Sequence, residues 1–134
     1  MTILVGIDIQ PIEEIEASLK EFGARYTHKL FTDYEVATCG SLGAATARCL
    51  AGRFAAKEAV LKILSPNEQA PSFKEIEVRR STAGRPEVVL RGEAARLARR
   101  RGIEEVSLSL SYAAGIAAAA VVAQSEDLDV GPDE

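Results

Sequence analysis

The run AATARCLAGRFAAKEAVLKIL, Ala44 to Leu64, limits the possible folds more than any other stretch, because it holds no proline and one internal glycine. It can form one long helix, about 30 Å from end to end at a rise of about 1.5 Å per residue. Leu50, Phe54, Leu61 and Leu64 give it an apolar stripe. Ser65-Pro66 ends it, since the residue before a proline avoids the helical region. A chain of 134 residues is long enough for one compact domain and too short for two ordinary ones.

The flanking segments alternate between two periods. TILVGIDI places Ile3, Val5, Ile7 and Ile9 on one side and Leu4, Gly6 and Asp8 on the other, as a strand does. From Pro11 the spacing of Ile12, Ile15 and Leu19 turns helical, and the helix closes at Gly23. LFTDYEVATCG reads as a second helix started by Thr32 or Asp33, whose side-chain oxygens can cap free N–H groups. Beyond the long helix, FKEIEVRR is a strand, STAG a turn before RPEVVLRG, and GEAARLARRRG a short helix between glycines. VSLSLSY and IAAAAVVA form a hairpin about AAG, apolar enough for core or interface alike. The predicted class is α+β, an antiparallel sheet packed with helices over residues 1–125, with a disordered acidic tail over 126–134.

Composition narrows the function classes. Apolar residues make up 47% and charged residues 27%, as in soluble globular proteins. No apolar run approaches the roughly 20 residues of a membrane span, and no signal segment opens the chain, so a cytoplasmic location is expected. A net charge of −4 argues against nucleic acid as partner. Half of the 16 Lys and Arg residues nonetheless fall between Arg79 and Arg101, as a solvated helix face or a cationic surface for an anionic ligand or acidic protein. Cys39 and Cys49 fit no metal or disulfide pattern and are expected as incidental thiols.

Within the long helix, Glu58 lies about 40° from Phe54 and Lys62 about 80° from it, so both flank the apolar stripe. An i,i+4 Glu–Lys pair is by itself worth only about 0.2–0.5 kcal/mol. Asp8 adds weight to the pair. A carboxylate in an apolar strand loses solvation unless something pairs with it, and two facing carboxylates need a cation between them. Asp8 and Glu58, few and all-oxygen, suit Mg²⁺, which keeps waters and completes its shell with substrate phosphates. Arg53 and Lys62 would then hold the remaining phosphate charge.

VGIDI and RFAAKEAVLKIL resemble the two hallmark motifs of the holo-acyl-carrier-protein synthase family, the small 4′-phosphopantetheinyl transferases. LFTDYE, FKEIEV, GRPEVVLRG and SLSY…AAAAVV follow the order of that family's other landmarks, so the resemblance spans about Ile3 to Ala123. It implies an α+β homotrimer with sites between subunits. It also implies an Mg²⁺-dependent transfer of phosphopantetheine from coenzyme A to a serine of an apo-acyl carrier protein, of fatty acid or polyketide synthesis, releasing 3′,5′-ADP. Asp8 and Glu58 match the metal ligands, and Lys62 the lysine that contacts phosphate and assists proton transfer. Arg53, Gly84, Arg85, Pro86, Ser111 and the residue at 112 fall in segments that line the coenzyme site.

Two departures set this chain apart. Tyr112 stands where the family commonly has histidine; it can donate a hydrogen bond but does not titrate near neutral pH. The only histidine, His28, lies elsewhere and is expected to be structural or superficial. The first helix carries Pro11 and Glu14 where the family has Glu and Arg, and its run of Glu13, Glu14 and Glu16 would repel an acidic carrier, which points to a specialised carrier or to loss of carrier binding unless Lys20, Arg25 and Lys29 compensate. The rival expectation is a noncatalytic coenzyme A-binding or assembly protein on the same scaffold.

Overall fold

Strand β1, Thr2–Pro11, passes directly into helix α1, Ile12–Phe22, in a computed structural model that describes residues 1–40, 43–66 and 69–126. Pro11 stands one residue ahead of the helix, in extended conformation, so it both ends the strand and caps the helix. Gly23, at φ 56°, turns the chain into a short helix α2, Ala24–Leu30. No apolar period announces α2 in the sequence, and none of its residues is buried. Helix α3, Asp33–Cys39, starts at Thr32, which accepts from the Glu35 N–H while the Glu35 carboxylate accepts from the Thr32 N–H. Of the two caps the sequence offers, Thr32 is the one used.

Helix α4, Gly43–Leu64, occupies the predicted run, and its apolar stripe follows expectation at Leu50 and Leu64 but not throughout. Phe54 and Leu61 are only half-buried, whereas Ala47, Ala51, Ala55, Ala56 and Ala59 are fully enclosed. The helix is packed on nearly every side, so its small residues, which admit close neighbours, mark the contacts as well as its large ones do. A 3₁₀ turn, Phe73–Glu75, leads to β2, Ile76–Arg80, and β3, Pro86–Leu90; helix α5 is Gly92–Arg100, β4 Val106–Ala113 and β5 Ile116–Ser125. The described residues form two antiparallel sheets, β1-β5-β4 and β2-β3. The predicted hairpin turns at Ala114 and Gly115, both with positive φ, the geometry that suits the twist of paired strands.

The hairpin serves core and surface at once. Ala117, Ala119, Val121 and Ala123 of β5 face α4 and are buried. On the opposite face Val122 joins Ile3, Val5, Ile7 and Ile9 of β1, all more than two-fifths exposed, in one open apolar surface. No helix long and apolar enough to cross a membrane occurs among the described residues. The expected tail lies, apart from Glu126, outside them.

Cys39 and Cys49 are not incidental thiols. Their sulfurs are bonded, 2.10 Å apart, with Cα atoms 5.4 Å apart. The fold brings the end of α3 against the second turn of α4, a proximity that spacing along the chain does not reveal. Lys57 is a second feature the sequence hides. Its ammonium is fully buried on Glu35 at 2.8 Å and donates to the carbonyls of Phe73 and Ile76 at 2.8 and 2.5 Å. The second Glu35 oxygen accepts from the Val78 N–H at 2.7 Å, so the pair ties α3, α4 and β2 together.

Candidate functional site

Gly6 sets the distance between β1 and α4. A Cβ there would lie 2.3 Å from the Ala59 carbonyl oxygen, so only glycine lets strand and helix approach this closely. Two residues on, Asp8 points from the same face of β1, opposite Ala119 of β5. The Lys62 ammonium reaches across from α4, donating to the Ile7 carbonyl at 2.6 Å and to Asp8 Oδ1 at 3.2 Å. Glu58 stands one turn earlier on the same edge. Burial, reinforced by the charge of Asp8, pushes its carboxyl above the usual range, and Lys62 opposes the shift. Asp8 is thus brought to Glu58 and Lys62, some fifty residues further along the chain.

The donor set defines what cation would fit. No group of three or more His, Cys, Asp and Glu gathers among the described residues, so the protein offers two carboxylates and no closed cage. Two half-buried carboxylates, the charge of Asp8 raising the proton affinity of Glu58, fit a hard divalent ion that keeps most of its shell for water and phosphate. Lys62 now supplies part of the compensating charge, with its side chain 54% exposed and free to move.

A second group lies on another face of α4, because Arg53 and Glu58 are about 140° apart around the axis. Arg53 is buried, and its Nε–H meets no acceptor. Burial draws its pKa down; Tyr112 and Glu35 support the charge and Arg80 opposes it. The Tyr112 hydroxyl occupies the space over Gly52 where a Cβ would come within 2.0 Å of it, and Arg48 lies over the Tyr112 ring at 4.0 Å. A buried donor left unsatisfied beside Tyr112 and among further arginines favours an anion. Arg48 and Arg80 carry no local signal of this role in the sequence, because the partner that gathers them, Tyr112, lies on a distant strand.

The remaining predicted residues lie further along. Arg80 donates to the Gly84 carbonyl at 2.9 Å, which links the Arg53 group to the turn of Gly84, Arg85 and Pro86. Arg85 and Pro86 line a cleft of about 750 Å³ between β3, α5 and β4. Ser111 alternates with Tyr112 and is exposed on the face turned away from α4, so within one chain the two do not converge. His28 is exposed on α2, in keeping with the surface role expected of it.

The pattern of the 4′-phosphopantetheinyl transferase superfamily matches residues 4–119. The holo-[acyl-carrier-protein] synthase of Halothermothrix orenii is 40% identical over 120 residues, covering 90% of this chain and 95% of that protein. Among solved structures, the Chronobacterium ammoniagenes ACPS–CoA complex superposes with a TM-score of 0.80 at 30% identity, covering 94% of this chain and 99% of that one. The Helicobacter pylori holo-[acyl-carrier-protein] synthase in complex with coenzyme A gives 0.76 at 30% identity, over 90% and 100% of the two chains.

Proposed function

The chain belongs to the 4′-phosphopantetheinyl transferase superfamily, and from that premise we infer that it is a holo-acyl-carrier-protein synthase. It transfers 4′-phosphopantetheine from coenzyme A to a serine of an apo-acyl carrier protein and releases 3′,5′-ADP. The observation that supports this reading at the level of residues is the convergence of Asp8, Glu58 and Lys62 across Gly6.

Each residue has a task set by its surroundings. Asp8 and Glu58 would hold Mg²⁺, which when bound supplies charge neutralisation for the diphosphate. Glu58, the carboxyl with raised proton affinity, accepts the serine proton. Lys62 exchanges Asp8 for a phosphate oxygen. The serine oxygen attacks the β-phosphorus, the bond from phosphorus to the ADP oxygen breaks, and ADP leaves with that electron pair. Arg53, with its unsatisfied Nε–H, takes a further phosphate of coenzyme A, while Tyr112 fixes it by contact rather than by proton transfer. Gly84, Arg85, Pro86 and Ser111 complete the coenzyme site.

The two halves lie on different faces of α4, and Ser111 faces outward. A site completed by a neighbouring copy reconciles this, with the open face of Ile3, Val5, Ile7 and Ile9 as the contact and a homotrimer as the assembly. The reaction belongs in the cytoplasm, and residues 1–125 act as one domain. The test is intact-mass analysis of several apo-carrier proteins incubated with coenzyme A and Mg²⁺. Addition of one phosphopantetheine, absent with Asp8→Ala, is expected; coenzyme A binding with no addition to any carrier would leave a noncatalytic protein.

A further inference from the structure

We infer that Cys39 and Cys49 form a redox-active thiol pair, open to exchange with a dithiol reductant, whose state sets how firmly α4 holds the phosphates of its nucleotide ligand; this second clause rests on the function proposed above. The two sulfurs are bonded, and the Cα separation of 5.4 Å lies in the range a disulfide requires. The pairing does not depend on the bond alone. Thr46 Oγ1 of α4 donates to the Cys39 carbonyl at 3.0 Å from a buried position, which holds the end of α3 on α4 whatever the sulfurs do. Thiols kept adjacent in this way re-form the bond after reduction, the requirement for reversibility.

Access favours exchange. Cys39 is 9% exposed, but Cys49 is only half-buried, so a thiolate can reach the pair from the Cys49 side. Arg48 precedes Cys49 directly, and Arg53 Nη1 donates to the Cys49 carbonyl at 3.5 Å. Reduction proceeds by attack of one reductant thiolate on the Cys49 sulfur, with Cys39 leaving as thiolate. The second reductant thiolate then closes its own disulfide and releases Cys49. Two electrons pass to the chain, and two protons complete the thiols.

The position of the pair gives it a lever on the ligand. Arg48, over the Tyr112 ring, and Arg53, hydrogen-bonded to Tyr112, stand in the turns of α4 that the bond pins to α3. Fixing those turns removes motion that ligand binding would otherwise have to arrest, so the bonded form binds phosphate more tightly.

The test holds the full-length protein at graded ratios of reduced to oxidised dithiothreitol, blocks free thiols, and reads intact mass. Binding of 3′,5′-ADP, which carries the phosphates without a thiol, is then measured by calorimetry on each form. A single reversible transition is expected, with affinity about 3–10-fold weaker in the reduced form. Cys39→Ala/Cys49→Ala should bind like the reduced form and ignore the redox ratio; if it fails to fold, Cys39→Ser takes its place. Free thiols at every ratio, or equal affinity in both forms, would overturn the proposal. Failure of either form to bind 3′,5′-ADP overturns the lever and with it the functional reading, while mass alone still decides the thiol pair.

Discussion

Lys57 and Lys62 stand five residues apart on one helix and do opposite things. The Lys57 side chain is 0% exposed and meets a carboxylate and two carbonyls, so its every donor is committed. Lys62 is 54% exposed and spans one carbonyl and one shared carboxylate, beside a second carboxylate with raised proton affinity. A charge satisfied on all sides holds elements together and has nothing left to offer a ligand. A charge cluster that is imbalanced and open to solvent can trade its partners for phosphate or metal. Burial and completeness of partners, more than residue type, divide scaffold from site.

That contrast can be broken by experiment, beginning where the effect is largest. Lys57→Met should cost about 3–5 kcal/mol of stability by stranding Glu35 without its cation, read as a lowered denaturant midpoint. A loss below about 1 kcal/mol would mean that the buried pair does not organise the fold. Asp8→Ala should leave the midpoint nearly unchanged yet reduce turnover by about 10²–10³-fold, as loss of a preorganised charge at a reacting centre does. Gly6→Ala, driving a methyl against the Ala59 carbonyl, should cost about 1–3 kcal/mol and weaken transfer by moving Asp8 from Glu58. Lys62→Met should change stability by no more than about 1 kcal/mol, because exposed pairs contribute little, while lowering kcat.

The smallest effect concerns pH. Glu58 is raised above 4.5 in the folded chain, so the folded form keeps a proton that the unfolded form has released. In metal-free protein, stability should therefore fall as pH rises from 4.5 through the raised folded value. Asp8→Asn should shrink that fall and leave the part due to burial, as denaturant midpoints between about pH 4 and about pH 7 would reveal. An unchanged slope would mean that Asp8 and Glu58 do not sense each other.

Much of the fold was legible because its elements carry their own periods: the alternation before Pro11, the helical spacing after it, and the hairpin about Ala114 and Gly115. Helix α2 escaped notice because it has no side-chain cap and buries nothing. The stripe of α4 is only partly legible: Leu50 and Leu64 are buried as expected, but in a helix enclosed on nearly all sides the alanines mark the contacts as well as the large residues do. Asp8, Glu58 and Lys62 were legible as chemistry out of place: a carboxylate in an apolar strand and a charged pair beside a buried stripe. Lys57 was not, since nothing in FAAKEAVL distinguishes an interior lysine from a solvated one until Glu35 is known to face it.

What the amino-acid order settled by itself was local: where strands and helices begin and end, and which side chains could bear metal or phosphate, because those depend on backbone preference and residue chemistry. Tertiary structure alone decided which charges are enclosed and which are free, that Cys39 and Cys49 meet, and that the apolar side of β1 faces outward. These depend on contacts between segments far apart in the chain, where desolvation and proximity, rather than any property of a single residue, set the energy.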